Sequence, residues 1–546
     1  MSQDIATQCH SPPEREQALA QLKHASVDVL VVGAGINGAV AAAALAHAGP
    51  KVAIVDRGDF ASGVSSQSSN LAWGGIKYLE TGEWGLVRKL CLSRNTLMAA
   101  YPSSVKEIRF FTSIRRGFRV WSFFVWLGAL LYWALGNFHL SAPRYLRRSN
   151  ILREAPVVAP EHIVGGLEYS DCYLVDNDSR FVFNFVRRAQ DSGALAANYV
   201  SVESLKWHAS QSLWHVQLRD RVTNDTFTLE TRAVINATGP ETDLLNSAVG
   251  VKTQHHHVLS KGIHLIVDRI ASVDRVLTFF ASDGRLFFVI PMGPKTCIGT
   301  TDTRVDTATV SVTDEDRQFV LDNANELLCL PKPLCQDDII AERVGVRPLA
   351  ISGAVRDHDW VQLSRKHELE VDHGRPFISV FGGKLTDCLN VGNEIVTLVS
   401  NLGVAIPKAG RRWYGEAPAE RKQAFMAAAH EMELDRLTPA KAAEPLSERF
   451  WRRYGEQAFG LLTAIKDNPA RAKHVMCEAE YTYAEIELIA RREMIVTLED
   501  FLRRRSKISQ VVRLSNLKSD PGLLTAANLL FGIEDGQRVH ADFISR

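Results

Sequence analysis

Two short apolar runs with a small-residue stretch between them set the pattern of the N-terminal region. Val29–Val32 and Val52–Val55 contain no polar position, as strands buried on both faces of a parallel sheet require. Between them Gly33, Gly35 and Gly38 open an alanine-rich segment that reads as a helix to about Ala48, so the unit is β-α-β. Downstream the period changes repeatedly. Glu83–Ala100 and Arg180–Ser192 carry helical spacing, a strand falls near Tyr199, and Trp214–Leu218 alternates toward a polar turn at Asn224 and Asp225 before Phe227–Leu229 returns as a hairpin. Ala233–Pro240 is an apolar strand ending in a Gly-Pro turn. His264, Phe287–Ile290 and Cys297–Thr300 lie on expected antiparallel strands of a second sheet, while Glu342–Leu349 and Phe377–Thr386 supply Arg347 and a further glycine pair before Lys384. Beyond Pro407 the chain turns helical and charged.

These elements predict an α/β + α architecture. Residues 1–26 are expected to form a mobile tail and 27–408 an oxidoreductase region, with cofactor-binding segments at about 27–110, 160–250 and 370–400 and a substrate sheet mainly at 251–370. Residues 409–546 are expected to form a separate helical domain.

One apolar run stands apart. Val120–Phe138 carries no charge, holds three tryptophans, and is bracketed by Arg115, Arg116 and Arg119 before it and Arg144, Arg147 and Arg148 after it. Its length suits a membrane span, its tryptophans and arginines suit a helix lying in the interface, and a core helix remains the third reading. Spanning would split one Rossmann domain across a bilayer, so interfacial attachment at about 115–140 is favoured.

Charge and cysteine usage narrow the field. With 63 Lys and Arg against 62 Asp and Glu, no global field points to nucleic acid. Eight cysteines lack a CxxC pair, which fits reduced thiols in a cytosolic compartment. His255, His256 and His257 are adjacent on a strand and point to alternate faces, so no metal site is expected. The Arg503–Lys507 run reads as a solvated helix face.

The chemistry starts at the glycines. Gly33 permits the tight turn, Gly35 lets the backbone approach a pyrophosphate, and Gly38 lets helix and strand pack closely, while the helix N-terminus at Ile36 and Asn37 favours phosphate. Asp56, followed by Arg57, ends the second strand where a ribose hydroxyl would sit. The Ser/Gly-rich stretch after it, with Ser65, Ser66, Ser69, Leu71, Gly74 and Gly75, suits wrapping a cofactor with backbone N–H groups and hydroxyls.

Read in order, VVGAGINGA, SSQSSNLAWGGIKYLE, EYSDC, NATGP, SKGIHLIV, VIPMGPKTCIGTTDT, GVRPL, SVFGGKLT and MIVTLEDFLRRR resemble the FAD-dependent glycerol-3-phosphate dehydrogenase family. The resemblance spans roughly residues 27–507 and implies a Rossmann-type FAD-binding domain like those of glutathione reductase and D-amino-acid oxidase. It also implies oxidation of sn-glycerol 3-phosphate, electron delivery to membrane quinone and peripheral attachment to the inner membrane face, with a homodimer left open. It adds Ala237, Gly239, Gly383, Lys384, Leu385 and Thr386 to the FAD contacts. Lys77, Tyr78, His264, Arg347, Arg365 and Lys384 stand at active-site positions, His264 as base and Arg347, Arg365 and Lys384 as a phosphate clamp. Where the family reads SSKLIHGGxRYLE, this chain has Asn70, Trp73 and Lys77. Two other readings stand beside the first: an enzyme of the same fold acting on another alcohol or amine, and a flavin-binding membrane partner without turnover.

Overall fold

Burial on both faces builds the first sheet. The structure, a computed structural model, describes residues 14–23, 25–118, 120–271, 274–281, 283–353, 366–440 and 442–545. Helix α1 (Glu14–Leu22) precedes β1 (Ser26–Val32), helix α2 (Ile36–Ala48) and β2 (Val52–Val55). β1 pairs in parallel with β2, from Val29 opposite Val52 to Val32 opposite Val55. The sheet extends outward through β3 (Leu195–Ala197) beyond β2. On the other side β4 (Thr226–Asn236) runs parallel to β1, so the Ala233–Asn236 strand returns beside the cofactor turn as expected. Helix α2 is buried almost all round between this sheet and the helices Asp178–Asp191 and Cys388–Asn401. Its alanines let three layers approach closely, and Gly49, at φ 113°, ends the helix with its N–H on the Leu45 and Ala46 carbonyls.

The second sheet has ten strands among the described residues. Its centre is the long strand β5 (His255–Asp268), antiparallel along most of its length to β6 (Ala341–Ser352). The first sheet closes with β7 (His367–Asp372) against β8 (Phe377–Gly382), and β8 is parallel to β4. Val105–Arg115 and Ile163–Leu174 correct the expected partition. They pair with each other, and Val105–Arg115 runs parallel to Arg275–Phe280, so both belong to the second sheet rather than to the first. Leu71–Ala72 joins the same sheet by pairing with Cys172 and Tyr173.

The tail expectation also needs correction. Within it, α1 packs Leu19 and Leu22 into the core, and buried Arg15 donates to Asp220 at 2.6 Å. Residues 1–13 lie outside the described residues.

The apolar run contains helix α3 (Ser122–Leu135), 14 residues long. That is about 21 Å against a hydrocarbon core of about 30 Å, and no described helix is long and apolar enough to cross a membrane. One side is buried at Ala129 and Tyr132, while Trp121, Phe123, Phe124, Leu127, Leu131 and Phe138 are exposed. The arginine frame is only partly available: Arg115 pairs with Glu326 at 2.6 Å and Arg144 with Glu154 at 2.7 Å, leaving Arg116, Arg147 and Arg148 exposed. Arg119 lies outside the described residues.

Helices from Ala419 onward share their own core around Phe425, Phe450, Trp451, Ile486 and Phe501. They do not present Arg503–Lys507 to solvent, which overturns the solvated-face reading. Arg504 and Arg505 are buried on Asp59, and Arg503 donates to Gln67 at 2.6 Å, so the run is a joint with the cofactor-binding region. An arginine run is legible as charge; that a buried carboxylate waits for it is a property of the fold.

Candidate functional site

Four separated chain segments converge on the N-terminus of α2. Gly33, at φ 96°, sits where a Cβ would fall 2.6 Å from the Ala237 carbonyl oxygen. At Gly38 a Cβ would lie 1.8 Å from the Gly33 oxygen, so only hydrogen fits. The Ile36 N–H donates to Ser65 Oγ at 2.9 Å, and Asn37 Nδ2 donates to the Gly382 carbonyl at 3.0 Å. The Thr386 hydroxyl donates to the Trp73 carbonyl at 3.1 Å. Ser65, Ala237 and Gly383 therefore border one cradle, with Gly239 just beyond Ala237, and the Thr386 bond ties the segment of Gly383, Leu385 and Thr386 to the loop that carries Ser66, Ser69, Leu71, Gly74 and Gly75.

The cradle fits a dinucleotide. Asn37 Oδ1 is buried with no hydrogen-bond partner among the described residues, beside Gly383 at φ 100°. Asp56 is held rigidly, accepting the Ala34 N–H at 2.7 Å and the Gly58 N–H at 2.9 Å, and burial raises its carboxyl pKa. Each oxygen keeps a lone pair for a ribose hydroxyl. Arg57 points outward to Glu241 at 2.5 Å.

The second half of the site lies on β5 and β6. In register, Ser260 faces Arg347, Gly262 faces Gly345 and His264 faces Arg343, so alternate residues of both strands share one face. Gly262 leaves room for the Arg347 guanidinium, which would lie within 2.4 Å of a Cβ there. Arg347 donates to Thr300 Oγ1 at 2.9 Å and the Thr301 carbonyl at 3.2 Å, with Asp302 at 3.4 Å. Gly345 packs under Gln67, bringing the cofactor loop onto this face. His264 is buried, and neither ring nitrogen has a hydrogen-bond partner among the described residues. Burial, then Arg347 and Arg343, pull its pKa down to about 3, so the imidazole is neutral at physiological pH with a lone pair available.

Lys77 and Tyr78 lie on the short turn Ile76–Leu79. Lys384 Nζ sits 4.2 Å from the Tyr78 ring centroid and 5.4 Å from that of Trp73. Arg365 lies outside the described residues. In the His255–His257 run, His255 binds Glu370 at 2.6 Å, while His257 accepts the Gly382 N–H at 3.0 Å.

Three groups escaped the sequence reading. Arg343 shares the face of Arg347 at a spacing of four, which strand alternation alone could have revealed. Gln67 gave no signal. Nor did the buried Tyr132–Asp171–Arg94 group, in which Tyr132 of α3 donates to Asp171 at 2.7 Å and Asp171 also accepts the Gly74 N–H at 3.1 Å. Arg94 closes that group at 2.8 Å from Asp171.

A glycine-lined dinucleotide cradle lies beside a second sheet bearing a buried histidine, and the family match makes this the fold of an FAD-dependent oxidoreductase. Residues 28–386 match the FAD dependent oxidoreductase family and residues 347–532 the C-terminal domain of alpha-glycerophosphate oxidase. The aerobic glycerol-3-phosphate dehydrogenase of Staphylococcus saprophyticus is 30% identical over 393 residues, 71% of this chain and 69% of that protein. The Staphylococcus aureus protein of the same name is 28% identical over 509 residues, covering 90% and 89%. The solved glycerol-3-phosphate dehydrogenase from Bacillus halodurans, complexed with FAD, superposes with a TM-score of 0.71 at 24% identity, covering 98% of this chain and 97% of that one. The chain belongs to the FAD-dependent glycerol-3-phosphate dehydrogenase family.

Proposed function

We propose that the protein oxidises sn-glycerol 3-phosphate to dihydroxyacetone phosphate and passes the electrons to a membrane quinone, while attached to the inner face of the membrane through α3. The observation that carries the reading is His264, a buried neutral imidazole with two unpartnered nitrogens among the described residues, on the same face of β5 as Ser260, which pairs with Arg347. Bound FAD supplies the acceptor for the hydride that leaves the substrate carbon. His264 takes the hydroxyl proton. Its low pKa in the free protein rises when a phosphate dianion enters, because added negative charge offsets Arg347 and Arg343.

Arg347, Arg365, Lys384 and Lys77 hold the dianion, and Tyr78 lines the site under Lys384. The Arg347 guanidinium keeps part of its fork on Thr300 and Thr301, which fixes its orientation before substrate arrives. Gly33, Gly35, Ile36, Asn37 and Gly38 take the pyrophosphate on the helix N-terminus, and Asp56 takes the ribose.

Trp73 beside Lys384 supports a second reading, in which the same residues act on another alcohol or an amine. Anaerobic mixing of FAD-loaded protein with sn-glycerol 3-phosphate separates the two. Rapid bleaching of the flavin absorbance is expected. Persistent yellow colour that dithionite still bleaches would refute the substrate assignment, and failure of every alcohol and amine tried would favour a flavin-binding membrane partner.

A further inference from the structure

Arg343 is 1% exposed, yet its hydrogen-bond partners among the described residues are all neutral. One guanidinium nitrogen binds the Ser68 carbonyl and Asn70 Oδ1, and the other binds Gln510 Oε1 and approaches the Met292 sulfur at 3.7 Å. It thereby joins three parts of the chain: the cofactor loop, the strand carrying Arg347, and the C-terminal helical region. A buried cation held only by dipoles has a large desolvation cost, and here it sits opposite His264 in register. Arg503, donating to the Ser66 carbonyl and to Gln67, brings a second guanidinium to the same loop, where burial and then Arg343 lower its pKa.

Asn70 is shaped to this arrangement. It adopts φ 59°, which asparagine tolerates, and its carbonyl accepts the Leu174 N–H at 2.7 Å while its N–H donates to Ser68 Oγ at 3.1 Å. Its side-chain oxygen is left to accept from Arg343 at 3.2 Å. The family motif carries lysine at this position, and a lysine ammonium here would meet the guanidinium head-on, with no carboxylate among the described partners of Arg343.

We propose that Arg343 is a positioning residue. It supplies from the substrate sheet the positive charge that the family loop carries at position 70, and it fixes the Ser68–Asn70 turn against the strands bearing His264 and Arg347. Residues 70 and 343 are then one unit in which a single cation is accommodated. The anion that benefits is the phosphorylated substrate, so this inference rests on the proposed function for its kinetic readout but not for its binding readout.

The test is a cycle of Asn70→Lys, Arg343→Gln and the double variant, with Arg343→Lys and Gln510→Leu alongside. FAD release, followed by flavin fluorescence, and thermal unfolding need no substrate; KM and kcat for sn-glycerol 3-phosphate give the kinetic arm. Each single change is expected to speed FAD release or raise KM about tenfold, the scale of a lost charged hydrogen bond. The double variant is expected to recover to within about threefold of the parent, because the two residues share one contact and their effects do not add; recovery of KM by Arg343→Lys but not by Arg343→Gln is expected to separate the retained charge from packing alone. Losses that multiply in the double variant, or an Asn70→Lys protein equal to the parent, would overturn the proposal. Should Asn70→Lys fail to fold, Arg343→Lys against Arg343→Gln decides: equal impairment of the two overturns it. If the parent's flavin is not bleached by the substrate, the functional reading fails while the FAD-release cycle still judges the pairing.

Discussion

Asp59→Asn tests the joint that the arginine run makes with the cofactor-binding region. Asp59 accepts from Arg504 Nε at 2.7 Å, from both terminal nitrogens of Arg505 at 2.8 Å, and from Asn198 at 2.8 Å. Arg504 would keep Asp500 and Glu499, whereas Arg505 would keep the Glu493 carbonyl and a carboxylate 4.0 Å away. Both Asp59 and Arg505 side chains are 0% exposed, and stranding a buried charge costs about 3–5 kcal/mol. The comparison is Glu456→Gln, which breaks a shorter pair, Arg421–Glu456 at 2.6 Å, whose side chains are 54% and 52% exposed. Screening limits that pair to below about 1 kcal/mol. Urea unfolding followed by tryptophan fluorescence, with FAD release recorded in parallel, should show a much lower midpoint for Asp59→Asn and almost none of that shift for Glu456→Gln. Equal shifts would refute the argument that burial rather than distance sets the strength. The pH sign is fixed as well: burial alone would raise the Asp59 pKa, but Arg505 and Arg504 hold it below its ordinary value. Its stabilisation is therefore complete above the unfolded carboxylate pKa and is lost only as pH falls through the lower folded value.

Other outcomes follow from single side chains. His264→Asn should slow flavin reduction by about 10²–10⁴-fold, and reduction at the parental rate would remove it as the base. Arg347→Ala should raise KM for the phosphorylated substrate at least about tenfold with a smaller change in kcat, and an unchanged KM would exclude it from the clamp. Trp121→Glu with Phe124→Glu should abolish flotation with anionic liposomes, since each exposed ring contributes about 1.5–3 kcal/mol on burial; undiminished flotation would dismiss α3 as the attachment surface. His367 is opposed by burial but held above its ordinary pKa of 6.5 by Asp387 at 3.0 Å and Glu394 at 2.8 Å. Its contribution is full below the unfolded pKa and is lost as pH rises through the folded one, so the Tm gap to His367→Gln should narrow as the solution is made alkaline. A constant gap would contradict the assignment.

Local chemistry determined much of this protein before any tertiary contact was known. The strands Val29–Val32 and Val52–Val55, the glycine turn between them and the capped alanine helix follow from rules acting over a few residues: burial on both faces, absence of a Cβ, and unpaired N–H groups at a helix start. The same holds for the hairpin to Phe227–Leu229 and for the histidine on a strand at 264, whose neighbours are themselves strand formers. Tertiary structure decided what depends on distant partners. No local pattern marked Val105–Arg115 as a strand, and only its pairing with Arg275–Phe280 and Ile163–Leu174 places it in the second sheet. Arg503–Lys507 carries the same charges whether solvated or buried, and only Asp59, 445 residues before Arg504 in the chain, tells which. Arg343 is likewise an ordinary strand arginine until Asn70 and Gln510 meet it. Periodicity records which face a residue occupies; the charge and shape of what it meets there are set by chain closure, and at this site they fix the roles of the side chains.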